Sequence, residues 1–213
     1  MESFQSQSLE IRNYKLEIFL MSYSIYTTDG IVLRRTAFGE QNVLLHILTK
    51  NLGMILATVQ AARSPKSKLN NSLQEFSLVY LSCVKGRNVW KVTNAEENEN
   101  FFFQSGGELR GVLARLRLIL LQTITGEFPQ PEIFETVFSG FGFIKKYPEN
   151  IYDFEVLVVF RILHKLGYVA LDKETDIFLK DSSWNVSLFQ QVKNKKVALI
   201  KSINKALKES HLT

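Results

Sequence analysis

Residues 76–93, FSLVYLSCVKGRNVWKVT, decide the fold of the N-terminal half. Two apolar runs flank Lys85-Gly86-Arg87-Asn88, a turn sequence, and this arrangement predicts a β-hairpin. Three further short apolar runs with turn signals between them precede the hairpin, at 31–33, 43–48 and 54–59. Five short strands, with no helix long enough for a parallel crossover, predict a small antiparallel barrel of the oligonucleotide-binding (OB) type.

The second half of the chain has helical periodicity. Further helices are predicted from Pro131 onward, over 154–168, where most of the surface is apolar, and over 192–211, with residues 169–190 irregular. The acidic stretch 94–100 is predicted to be a solvated hinge. The fold class is therefore α+β, with an antiparallel OB-fold barrel over 23–100 and an all-α helical domain over 101–213. The first helix is predicted from five apolar residues on one helical face, Leu109, Val112, Leu113, Leu116 and Leu120.

The composition excludes several classes of protein. The chain has 213 residues, of which 46% are hydrophobic and 12% aromatic, enough for real cores. It has no run of about eighteen uncharged apolar residues, and charges interrupt its start, so neither a membrane span nor a signal peptide fits. We therefore expect a cytoplasmic protein. The single cysteine, Cys83, excludes an internal disulfide and a cysteine-rich zinc site, and three scattered histidines offer little for metal chemistry. We therefore expect no metal and no cofactor.

The net charge of +5 is unevenly distributed. Residues 21–91 contain nine Lys and Arg against three Asp and Glu, residues 92–181 nine against fourteen, and residues 182–213 six against one. A basic front and a basic end favour an anionic partner that is held by two parts of the chain. The alternative is that surface lysines keep the protein soluble.

No arrangement of residues typical of catalysis is present. The histidines lack carboxylates or cysteines at metal-ligand spacing. Ser105-Gly106-Gly107 lacks the Gly-Lys-Ser/Thr ending of a phosphate loop, which indicates a cap and linker. We therefore predict that the chain is not an enzyme. One alternative is a metal-dependent nuclease in which the Glu96–Glu99 cluster holds magnesium, and another is an adaptor that binds proteins alone.

The barrel region combines cations with aromatic residues, as the binding of a single strand requires. We expect Trp90 to lie in the barrel core, whereas the position of Phe38 stays open. Residues 63–68 form the best single site, because Pro65 stiffens the loop and its three cations cannot all pair with carboxylates. The predicted phosphate contacts are Arg34, Arg35, Arg63, Lys66, Lys68, Lys85 and Arg87.

Four sequence segments match a known family in order and spacing. YTTDGIVLRRTAFGE (26–40), LTKNLGM (48–54), ARSPKSKL (62–69) and LQEF (73–76) resemble the N-terminal domain of the RecO family of bacterial recombination mediators. FEVL (154–157) with RILHKLGY (161–168), and INKALKESHL (203–212), resemble the family's central and last helices. The resemblance begins near Tyr23, just after Met21, so we expect residues 1–22 to be an N-terminal extension or a start-site artefact.

The resemblance implies an OB barrel with a helical domain and a role in DNA repair and recombination without chemistry of its own. It implies binding of single- and double-stranded DNA, annealing of complementary strands, and loading of RecA together with RecR. It also implies recognition of the acidic C-terminal tail of the single-stranded-DNA-binding protein (SSB). Many members carry a four-cysteine zinc site after the central helix, but residues 169–190 contain no cysteine, so we predict no zinc.

Two further surfaces are candidates for these roles. The SSB tail would need an apolar groove with a cation for its terminal carboxylate. For Arg161 we slightly favour an internal pair with Glu155 or Asp153 over that role. The basic last helix either supplies a second surface for annealing or is an ordinary amphipathic element with solvated lysines. The candidate cations for the tail are Arg115, Arg117, Arg161 and Lys165.

Overall fold

A computed structural model of the chain describes residues 24–64, 67–101, 106–170, 172–180 and 182–210. Its N-terminal half is a barrel that closes in the strand order β1-β2-β3-β5-β4, with a short helix α1 (Lys68–Ser72) between β3 and β4. The strands are β1 (Ile25–Phe38), β2 (Asn42–Thr49), β3 (Gly53–Val59), β4 (Ser77–Lys85) and β5 (Trp90–Asn100). The predicted α+β fold with an OB-type sheet ahead of a helical region is confirmed.

The barrel interior follows from the alternation of apolar residues along each strand. Successive side chains of a strand point to opposite faces, so every second residue lies inside. Val32, Leu45, Ala57 and Leu81 are fully buried in this interior core. Leu73, just after α1, is also buried there, and α1 packs beside β5, so this helix covers one end of the barrel.

Two strands are longer than the sequence patterns predict. β1 continues through Arg34 and Arg35 to Phe38, with an irregular register between Val32 and Arg34. The predicted hinge at 94–100 is wrong, because these residues belong to β5 and pair with β4 from Asn94 to Asn100. A strand with one face in water accepts charged residues on that face, so acidity alone does not end the ladder.

The C-terminal half consists of helices packed around one central helix. The longer helices are α2 (Gly107–Thr123), α3 (Pro131–Lys146), α4 (Ile151–Lys165) and α6 (Val186–Glu209), with a short α5 (Ile177–Lys180) before the last. As its apolar sequence predicts, α4 lies at the centre and packs against α2, α3 and α6. The last helix begins at Val186, six residues earlier than predicted, because the side chain of Asn185 caps it by accepting from Leu188 N–H.

The two halves share one apolar core. Ile31 and Leu48, on the outer side of the barrel, are buried in the same cluster as Leu116 of α2 and Phe154 of α4. The region of the barrel wall that faces the helices is therefore covered, and the rest of the wall is left for other contacts. No helix in the described part of the chain is long and apolar enough to cross a membrane.

Candidate nucleic-acid interface

The uncovered wall of the barrel carries two rows of outward-facing side chains, which we call the basic face. Interior residues such as Leu45 and Ala57 alternate with the members of these rows, so the members point away from the core. Cross-strand pairing aligns the first row as Arg34, His46 and Leu56. The second row runs across four strands as Thr36, Leu44, Thr58 and Lys91.

The basic face ends in cations at both edges. Arg34 on β1 and Lys91 on β5 are exposed, while the leucines between them are half-buried. Lys91 is absent from the sequence-based set of contacts; its alternation with the interior residues Trp90 and Val92 is the signal that places it outside. Among the described residues no carboxylate lies within 4.0 Å of five cations, Arg34, Arg63, Lys68, Arg87 and Lys91.

A second basic cluster lies at the end of the barrel that α1 covers. Arg63 donates to the carbonyl of Gly39, and its backbone N–H donates to Gln41, which ties the loop after β3 to the β1–β2 turn. Lys68 begins α1 and is exposed. The predicted contact Lys66 lies outside the described residues. The loop therefore presents Arg63 and Lys68 next to the β1–β2 turn.

Arg35 is held within this end of the barrel. Its Nη2 donates to Asn70 Oδ1 at 2.7 Å, and its backbone N–H donates to Glu75 Oε1 at 3.0 Å. Burial lowers the pKa of Arg35, the nearby Arg63 charge lowers it further, and Glu75 opposes the shift. The other oxygen of Glu75 accepts from Arg117 of α2 at 2.8 Å, so this carboxylate joins the barrel to the helices.

Lys85 is engaged by a residue of the helical half. Its Nζ lies 2.7 Å from Glu127 Oε2 and 5.5 Å from the centre of the Trp90 ring. The indole N–H of Trp90 donates to the other oxygen of the same carboxylate at 2.8 Å. The hydrogen bond to Glu127 raises the pKa of Lys85, so the ammonium is fully charged at neutral pH. Arg87, on the same hairpin, is exposed.

The aromatic residues divide as the strand alternation requires. Trp90 is buried in the barrel core, as predicted. Phe38, whose position the sequence leaves open, is 53% exposed at the end of β1, beside the turn that Arg63 contacts. Its flat face is available to a base next to the cations of the loop.

The opposite wall of the barrel has the opposite charge. Cross-strand pairing aligns Asp29, Tyr80 and Glu96 in one outward row. Of the acidic cluster predicted as an alternative magnesium site, Glu97 accepts from the Ser77 hydroxyl and Glu99 pairs with Lys145. Within the described ranges no group of three or more His, Cys, Asp or Glu side chains is placed to hold a metal ion. A row with two carboxylates repels phosphate, so this wall is less suited to nucleic acid than the basic face.

Each candidate cation for the SSB tail has a partner inside the molecule. Arg115 pairs with Glu155, Arg117 with Glu75, and Lys165 with Glu132. Arg161 is buried in α4, donates to the carbonyls of Phe178, Ser182 and Ser183, and lies over the Trp184 ring. Of its two expected partners, Asp153 pairs with Lys196 and Glu155 with Arg115.

The remaining reactive residues have structural environments. Burial raises the pKa of the Cys83 thiol to about 11, so this residue is a neutral apolar group of the core. Burial and then the Arg34 charge lower the pKa of His46, so its imidazole is neutral at neutral pH. His164 places Nδ1 2.8 Å from the Val169 carbonyl, and His211 lies outside the described residues.

Comparison with known proteins finds similarity over the barrel. Residues 21–101, which include the whole barrel, match the family model described as Recombination protein O N terminal. The N-terminal domain of the chain is therefore similar to that of the RecO family. The DNA repair protein RecO of Heliobacterium modesticaldum is 27% identical over 144 residues, which cover 68% of this chain and 52% of that protein.

Two more RecO proteins are similar over an equal or shorter part of the chain. The DNA repair protein RecO of Gloeothece citriformis is 32% identical over 146 residues, covering 67% of this chain and 51% of that protein. The DNA repair protein RecO of Acaryochloris marina is 34% identical over 112 residues, which cover 52% of this chain and 38% of that protein. The chain thus spans about half the length of the curated relatives it matches, or less.

Proposed function

We propose that this chain is a DNA-binding protein of DNA repair and recombination that holds nucleic acid on the basic face of its RecO N-terminal domain. The observation that supports this function is a pair of neighbouring outward rows on β1, β2, β3 and β5. One row ends at the exposed Arg34 and the other at the exposed Lys91, and neither cation has a described carboxylate within 4.0 Å. A wall of this kind attracts the phosphate backbone of any sequence.

The cations contribute to binding in two ways. Arg34, Arg63, Lys68, Arg87 and Lys91 are available to neutralise phosphates directly. Arg35 and Lys85 are engaged by Asn70 and by Glu127, so they contribute mainly through their charge unless these contacts rearrange. Because counterions are released when phosphates are neutralised, binding of single strands weakens as the salt concentration rises.

The salt dependence of binding tests this function. If about four phosphates are neutralised, log affinity for a single strand falls with log salt with a slope of roughly −3. Replacing Arg34 and Lys91 together by Gln removes about two contacts and lowers the steepness of the slope by about 1.4. Replacing Lys66 and Lys68 by Gln also flattens it. The measurement is fluorescence anisotropy of a labelled oligonucleotide at several salt concentrations.

A matched control separates local contacts from net charge. Replacing two lysines of the helical half, Lys146 and Lys173, removes the same charge away from the basic face and leaves the slope unchanged. Equal slopes for wild type and the Arg34/Lys91 variant would move the binding site elsewhere. A wild-type protein with no affinity for either single or double strands at low salt would leave the protein-only adaptor as the better function.

The mediator role extends this proposal. We propose that the chain binds both single- and double-stranded DNA, anneals complementary strands, and helps to load RecA onto SSB-coated DNA with RecR and through the SSB tail. The last helix, α6, supports the annealing step, because Lys193, Lys201 and Lys208 are exposed along it. A second basic surface reduces repulsion between two strands. Faster annealing of labelled strands by wild type than by a variant with these lysines changed to Gln tests this role.

We further propose that the chain works in the cytoplasm by binding and not by chemistry. The resemblance to RecO proteins and the absence of a catalytic arrangement in the sequence support this. A nuclease assay with magnesium and labelled DNA tests it. Cleavage that is lost when Glu96 and Glu97 are changed to Gln would make the chain a metal-dependent nuclease instead.

A further inference from the structure

An exposed phenylalanine lies on the connection between α2 and α3. Phe128 is 76% exposed, more than any other aromatic side chain among the large exposed residues of the described chain. Burying a phenylalanine is favourable, so leaving its ring in water gains nothing for the fold. Single exposed apolar side chains are common on protein surfaces, so exposure alone assigns Phe128 no role.

The backbone that carries Phe128 is fixed to the barrel. Met54 N–H donates to the Gly126 carbonyl at 3.2 Å, which joins the connection to β3. Gly53 has a positive φ of 75°, and a Cβ built there would lie 2.4 Å from the backbone oxygen of Phe128. Glu127, the preceding residue, is held by Lys85 and by Trp90. The ring is therefore exposed on a backbone that is held at the two preceding residues, which lowers the entropy lost when it binds a partner.

The surroundings of the ring suit a nucleic acid. Lys85 and Arg87 belong to the hairpin that holds Glu127. The charge of the preceding carboxylate, Glu127, is balanced by Lys85. Phe128 thus presents a flat apolar face next to a residue that is bound by the hairpin of Lys85 and Arg87, and single-strand sites combine such faces with cations.

Phe128 also lies at the opposite end of β3 from the cluster of Phe38 and Arg63. The connection crosses β3 at Gly53, whereas Arg63 and Phe38 lie near the end of β3 at Val59. Six residue steps of a strand span about 20 Å. A stretched single strand of a few nucleotides covers such a distance, which corresponds to the shorter of the sites of roughly 4 to 16 nucleotides that one OB fold binds.

We propose that Phe128 stacks on a base of single-stranded nucleic acid and so extends the basic face to a residue of the helical half. The proposal rests on the proposed function, and it adds a second aromatic contact, in the helical half of the chain. Duplex DNA offers no unstacked base, so the contribution of this residue is confined to single strands. It contacts no phosphate, so it contributes to affinity without contributing to salt dependence.

The test compares substitutions of Phe128 in the full chain with an oligothymidine of about 10 nucleotides and a duplex of the same length. We expect Phe128→Ala to weaken single-strand binding about tenfold, with the same salt slope as wild type and no change with the duplex. We expect Phe128→Trp to bind with wild-type affinity. We expect Phe128→Leu to lose most of the contribution that the ring makes to affinity, because stacking needs a flat ring. Tyr152→Ala, which removes another half-exposed ring from α4, is the matched control with wild-type affinity.

The outcomes separate this proposal from the proposed function. If Phe128→Ala binds single strands as well as wild type does, while the Arg34/Lys91 variant loses affinity, the stacking role is overturned and the proposed function stands. A Phe128→Leu variant that binds as well as wild type would also overturn it. No single-strand binding by wild type would count against both. A concentration-dependent dimer in sedimentation that Phe128→Ala abolishes, with unchanged DNA affinity, would assign the ring to a second copy of the chain. Unchanged urea midpoints of the variants show that their folds are intact.

Discussion

At the scale of the residue, Gly53 decides whether the connection between α2 and α3 can lie on the barrel. Its φ is +75°, and a Cβ there would clash with backbone atoms of Phe128 that no side-chain motion can relieve. Gly39 also has a positive φ, of +65°, but a Cβ there meets no atom within 4 Å. Both glycines therefore need a positive φ, but only Gly53 is also approached closely by a second segment of backbone, at Phe128.

We expect Gly39→Ala to lower the free energy of unfolding by about 1 kcal/mol, because alanine is strained at a positive φ. Gly53→Ala lowers it by about 2–4 kcal/mol, because the connection must also move away from β3. Urea unfolding of both variants measures the difference. Equal losses would show that the approach of Phe128 to Gly53 does not contribute to stability.

At the scale of the element, β5 shows which features local sequence can predict. The alternation of side chains along the strand predicts that Trp90 lies inside the barrel. The structure confirms this, because every second side chain of β5 near Trp90 points to the interior. The stretch 94–100 was predicted to be a hinge, yet its backbone pairs with β4 while Glu96 and Glu97 face water. The contact of Glu127 with Lys85 and Trp90 spans about 40 residues of sequence, so no local pattern predicts it. The same holds for Phe128, whose role depends on where the connection crosses β3.

The attachment of the connection to the barrel depends on pH through Glu127. The hydrogen bond from Lys85 lowers the pKa of Glu127 below its ordinary value of 4.5, so the ion pair stabilises the fold above that value. This contribution is lost as the pH falls through the lowered pKa. We expect Glu127→Gln to be less stable than wild type at pH 7, and the difference to shrink as the pH falls below 4.5 and through the lowered pKa of Glu127.

Thermal unfolding at several pH values measures this difference. Glu40→Gln, at an exposed carboxylate of the β1–β2 turn that has no described cation within 4.0 Å, is the control without a pH-dependent difference. A difference between wild type and Glu127→Gln that persisted unchanged at pH 3 would mean that the charge of Glu127 is not what holds the connection.

At the scale of the whole molecule, the shared core determines how the barrel and the helices unfold. Ile31, Leu48 and Phe76 of the barrel half are buried together with α2 and α4, and Arg117 is bound by Glu75 across the same boundary. Separating the halves would expose this apolar surface and leave Glu75 without its partner in α2. We therefore expect one cooperative transition, although the sequence suggests two domains.

The two tryptophans report on the two halves separately. Trp90 lies in the barrel interior and Trp184 packs against Phe154 in the helical half. In Trp184→Phe, Trp90 is the remaining tryptophan, and we expect its fluorescence to give the same urea midpoint as circular dichroism of that variant. In Trp90→Phe, we expect the fluorescence of Trp184 and circular dichroism to agree in the same way. Comparing two probes within each variant removes the loss of stability that either substitution causes. Two different midpoints within one variant would show that the halves unfold independently. In that case a ligand on the basic face would stabilise the barrel alone.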